Sequence, residues 1–74
     1  MKAKRKRDVE KGYSKADFAA KLRRLADAVE NDRRFAIQVA GERIHVPARA
    51  VFNIEHERSG GEEEIEFQIK WKRK

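Results

Sequence analysis

Four glutamates set the chemical question in this sequence. Glu55 and Glu57 precede a Gly60-Gly61 pair, and Glu64 and Glu66 follow it. A spacing of two places each pair on one face of a strand, and a two-residue turn at the glycines sets Glu57 opposite Glu64 and Glu55 opposite Glu66. Grouped carboxylates can serve as an acid/base couple, as ligands for a hard cation such as calcium, or as an acidic surface for a basic partner. Acid/base work needs one carboxyl desolvated so that its pKa rises, and a flat exposed strand face offers nothing to do that. The calcium reading lacks a D-x-D-x-D-G loop. Like charges facing each other destabilise a sheet, so the quartet requires an offset: Arg43 and Arg58, solvation, a basic partner surface or a cation.

The other chemistry-bearing residues point to structure first. His45 is expected to face outward beside Gln38, and His56 falls on the apolar parity of its strand, so the two cannot ligate one ion within a single copy. Ser14 reads as a helix cap and Ser59 as a turn residue, with no general base placed beside either. The chain has no Cys, which removes disulfides, thiolate zinc sites and thiol nucleophiles. Trp71 fits an end plug of the core near the helix; flanked by basic residues, it also fits a stacking surface for a base or a partner. No catalytic residue, metal site or cofactor is expected, and the chain reads as a non-enzyme.

These residues must be positioned by a chain of only 74 residues and 8.7 kDa, enough for one small domain. At 43% charged residues, with no apolar run near the roughly 18 residues of a membrane span, it is neither a membrane-spanning nor a collagen-like sequence. The net charge of +6 is unevenly placed. Residues 1–12 carry six basic against two acidic residues, residues 13–58 nine against seven, and residues 59–74 four against four. The excess thus sits in a basic arm over residues 1–13, expected to be flexible, with a basic tip at residues 73–74. Lys2, Lys4, Arg5, Lys6, Arg7, Lys72, Arg73 and Lys74 are the candidate polyanion contacts. Such charge attraction is weak and indifferent to nucleic-acid sequence. No apolar segment of signal-peptide length follows the arm, so a reducing cytoplasm is the expected compartment and no membrane partner is expected.

Ser14, three residues before Asp17, resembles a capping box and predicts a helix from Lys15 to Glu30 or Asn31. Phe18, Leu22, Leu25 and Val29 recur at spacings of four, three and four, a stripe expected to face the core. Asn31 is expected to close the helix in a left-handed conformation.

From Arg34 the period changes to two. Phe35, Ile37 and Val39 lead to Gly41-Glu42, read as a type II′ turn that pairs Val39 with Ile44 and Ala40 with Arg43. Pro47 marks a corner. Phe52 and Ile54 then share a face, and after Gly60-Gly61 so do Ile65, Phe67, Ile69 and Trp71. A two-residue loop pairs Ser59 with Glu62, Ile54 with Phe67 and Phe52 with Ile69, apolar against apolar. These elements predict an α+β domain over residues 14–72, one N-terminal amphipathic helix packed on a four-stranded antiparallel β-meander with one wet face.

The helix segment Leu25-Ala26-Asp27-Ala28-Val29-Glu30, the Val46-Pro47 corner and the acidic amphipathic last strand closing on Trp71 together resemble the small prokaryotic Amphi-Trp domain. The resemblance implies a helix followed by an antiparallel sheet in a small stand-alone protein, and it imports no activity. Members are often strongly acidic, and this chain departs from them in its basic arms. With a core near the lower limit for independent folding, the expected function is a non-catalytic protein-interaction module. It would act through the outer sheet face (Glu55, Glu57, Glu64, Glu66 and Trp71), a sheet edge or homodimerisation. The alternative is an accessory nucleic-acid binder using its basic arms, with Trp71 and Tyr13 as stacking groups.

Overall fold

The computed structural model describes residues 6–74. One helix, α1 (Lys15–Glu30), precedes four strands: β1 (Phe35–Val39), β2 (Glu42–Val46), β3 (Val51–Ser59) and β4 (Glu62–Lys70). The class is α+β, as the periodicities require.

Ser14 caps α1: its Oγ accepts from the Asp17 N–H at 3.1 Å, satisfying one of the first-turn donors that have no partner inside the helix. The C-terminus differs from expectation by one residue. Asn31 stays at φ −101° and Asp32 takes the left-handed conformation at φ 56°. The Asp32 N–H then donates to Val29 O and the Arg33 N–H to Ala28 O, the paired bonds of a Schellman ending. Asn31 is held out of that role by its own side chain, which donates to Asp27 O at 2.8 Å.

The strands pair as two separate antiparallel hairpins, β1 with β2 and β3 with β4, which corrects the single four-stranded meander. The cause is the corner. Pro47 has no N–H to extend a ladder, and the Ala50 N–H closes a turn onto Pro47 O at 3.1 Å, so β3 leaves at that corner without pairing with β2. Five-residue β2 could also have paired at most five of the nine residues of β3.

Within the second hairpin the expected register holds, with Ser59 opposite Glu62, Ile54 opposite Phe67 and Phe52 opposite Ile69. The first hairpin is shifted by two: Val39 faces Glu42 and Ile37 faces Ile44. Its loop is Ala40-Gly41, both at positive φ (47° and 85°), the pattern of a type I′ turn in place of II′. A shift of two keeps every side chain on its face, but it sets His45 opposite Ala36, not beside Gln38.

The core is small. Ala28, Phe35, Val46 and Ala50 are buried, with Leu25, Ile37, Ile69 and Trp71 packed against them. Trp71 thus plugs the end of the core. The helical stripe reaches this core mainly through Leu25, while Phe18, Leu22 and Val29 remain exposed. Arg24 helps seat the helix on β1, donating to Ala36 O at 2.9 Å with its guanidinium 5.1 Å from the Phe35 ring centroid.

Candidate interaction surface

The two faces of the β3–β4 hairpin separate apolar from acidic chemistry. On one face the cross-strand pairs Ile54–Phe67 and Phe52–Ile69 continue to His56–Ile65. This face was expected to lie under the helix, yet Phe52, Ile54, Ile65 and Phe67 are all more than half exposed. The correction follows from the two-hairpin arrangement: α1 rests on the first hairpin, and only the base of the second, through Ile69, reaches the shared core. Between α1 and the second hairpin lies an open groove of about 670 Å³, lined by apolar groups including Leu22, Leu25, Val29, Phe52, Ile54 and Phe67.

On the other face Glu57 lies opposite Glu64 and Glu55 opposite Glu66, as the glycine turn requires. Repulsion from Glu66, then slight desolvation, then Glu57 and Glu10 hold the exposed Glu64 carboxyl above its ordinary range. The expected arginine offset goes elsewhere. Arg58 Nη2 donates to Glu63 Oε2 at 2.7 Å, and His56 Nε2 lies 2.8 Å from the same oxygen. The hydrogen bonds from Arg58 and then His56 hold the Glu63 carboxyl below its ordinary range. Arg43 stands on β2 opposite Gln38, in the other hairpin. Among the described residues the ion pairs are Arg7–Glu42, Arg33–Asp27 and Arg58–Glu63, with His56 a hydrogen-bond partner of the same Glu63, and none includes a member of the quartet. Glu66 is held by a neutral relay: Asn53 donates to Gln68 Oε1 at 2.7 Å, and Gln68 Nε2 donates to Glu66 Oε1 at 3.1 Å. No group of three or more His, Asp or Glu among the described residues is arranged to hold a metal ion.

Of the candidate polyanion contacts, Lys2, Lys4 and Arg5 lie outside the described residues. Lys6, Lys72, Arg73 and Lys74 are exposed. Arg7 is engaged, donating to Val39 O at 2.8 Å and pairing with Glu42 at 3.2 Å, and Arg49 holds the C-terminal tip through Lys72 O at 2.7 Å. Nothing in local spacing distinguishes Arg7 from its basic neighbours, so these anchors carried no sequence signal. The Tyr13 ring is flanked by two ammonium groups, Lys21 Nζ at 4.9 Å and Lys11 Nζ at 5.5 Å from its centroid. Trp71 is half-buried against the core.

Among the described residues no helix is long and apolar enough to cross a membrane. No curated protein and no solved structure matches the chain. The family model of the Amphi-Trp domain matches residues 1–74, the whole chain. The segments that resemble this family in sequence also build the structure: Leu25-to-Glu30 brings Ala28 into the core, Val46-Pro47 makes the corner between the hairpins, and Trp71 plugs the core after the acidic last strand. The chain therefore belongs to the Amphi-Trp domain family.

Proposed function

We propose that this protein is a non-catalytic interaction module whose working surface is the apolar groove between α1 and the β3–β4 hairpin. The observation that carries the reading is the exposure of Phe52, Ile54 and Phe67 along that groove and of Phe18 and Ile65 along the adjoining one. Folded monomers seldom leave so much contiguous apolar surface in water, and a patch of this kind marks a binding surface. The acidic outer face supports the same reading from the other side, because its carboxylates, in no ion pair among the described residues, keep that surface hydrated and direct association to the apolar one.

Capture experiments in the native host, with and without nuclease, test the proposal. Protein bound by the wild-type chain should survive nuclease and be lost on combining Ile54→Lys with Phe67→Lys. Material that is released by nuclease, and that disappears when residues 1–12 are deleted while the double variant retains it, would favour nucleic-acid binding by the basic arms.

A further inference from the structure

We infer that the occupant of the apolar face is a second copy of this chain, in a two-fold dimer that packs the β3–β4 hairpins face to face. The inference rests on the interaction-module reading and names its partner.

Three features select this occupant. The first is area. Phe18, Phe52 and Phe67 are each more than half exposed, and with Leu22, Val29, Ile54 and Ile65 they line the apolar groove and an adjoining one that shares Leu22 and Phe67 with it. Since a phenylalanine can bury roughly 150–250 Å², the exposed patch amounts to roughly 700 Å², close to the about 800 Å² that each partner contributes to a stable dimer.

The second is the core. Four buried residues, two of them alanines, hold the protomer together, and α1 makes its element-level contacts with β1. A free two-stranded hairpin is at best marginally stable in water, yet β3 and β4 run for nine residues each. Facing a second hairpin turns each into one half of a two-layer sheet core about 10 Å thick.

The third is charge. An isologous contact brings each residue near its own symmetry mate or a close neighbour. Association through the outer face would therefore bring Glu55, Glu57, Glu64 and Glu66 of both copies together, with none of them in an ion pair among the described residues. Association through the apolar face brings together Phe52, Ile54, Ile65 and Phe67 and leaves the carboxylates on the two outer surfaces. Pairing along a strand edge would leave the aromatic face in water.

The absence of cysteine makes the test clean, since one introduced thiol is unique. Ile54→Cys and Ile65→Cys, made separately in the full chain, place it on the apolar face, and Glu55→Cys places it on the outer face one residue away. With a short bis-maleimide, both apolar-face variants should give predominantly covalent dimer at a yield that barely changes on tenfold dilution, while Glu55→Cys should give little. Preferential linking of Glu55→Cys, or yields that fall with dilution at all three positions, would overturn the dimer. Binding of an apolar dye by the wild-type chain then separates the two levels. A monomer whose dye binding is abolished by Ile54→Lys retains a free interaction face for a different partner. A monomer that binds no dye has covered the face with its own chain, and the interaction-module reading falls as well.

Discussion

Ile54 on β3 and Phe67 on β4 stand directly opposite each other across the second hairpin, and they are 63% and 65% exposed. The pairing is what a buried sheet face requires, but neither helix nor sheet of the same copy covers it. Correct pairing without cover is the relationship from which the account of this protein follows.

Phenylalanines 35 and 67 should therefore respond differently to truncation. Phe35 is 8% exposed within the protomer, so Phe35→Ala should cost about 3–5 kcal/mol in urea denaturation and lower helix content. Phe67→Ala should act chiefly on association, so that its effect on melting temperature shrinks as protein concentration rises. Equal, concentration-independent losses would show that both rings are buried within one copy.

The second hairpin's register was legible because Gly60-Gly61 leaves little choice of loop and every alternative slip of one mixes the faces. The first hairpin was not: Phe35, Ile37, Val39, Ile44 and Val46 keep their faces under a shift of two, so alternation could not separate Gly41-Glu42 from Ala40-Gly41 as the loop. The deciding factor was backbone conformation, with Ala40 accepting φ 47° beside Gly41. Layering was illegible for a related reason. Periodicity marks Phe52, Ile54, Ile65 and Phe67 as one apolar face, but not which surface covers it. The outer carboxylate pairs follow from the same turn, whereas the engagement of Arg58 with Glu63 depends on side-chain geometry that spacing does not encode.

The Ala40-Gly41 turn yields a stabilising substitution. A left-handed alanine costs roughly 1–2 kcal/mol relative to its preferred conformations, and asparagine before glycine is the favoured type I′ pair. Ala40→Asn should raise the unfolding free energy by up to about 1 kcal/mol in urea titration. A loss of stability would indicate that the loop is Gly41-Glu42 in solution.

Glu63 and Glu64, adjacent in sequence, should show opposite pH dependence. The depressed folded-state pKa of Glu63 means a stabilising contribution that is full above its ordinary value of 4.5 and is lost as pH falls through the depressed value. The raised folded-state pKa of Glu64 means a penalty that is full above that raised value and gone once pH falls below 4.5. At neutral pH, Glu63→Gln should lower the melting temperature and Glu64→Gln should raise it. Both differences should fade in acid, and the Glu64→Gln gain should diminish with added salt. Thermal melts at neutral pH and below pH 4 measure both signs, and a destabilising Glu64→Gln at neutral pH would indicate that a cation or basic group holds that carboxylate.

Sedimentation equilibrium of the full chain over about a hundredfold range of concentration tests the central claim most directly, because it reads mass without reference to which residues remain folded. A two-fold dimer predicts a species of about twice the 8.7 kDa chain mass that persists through the upper part of that range, where the cross-linking is done, and is abolished by combining Ile54→Lys with Phe67→Lys. A mass of 8.7 kDa at every concentration, from a chain that retains its helical signal and a melting temperature independent of concentration, would contradict it.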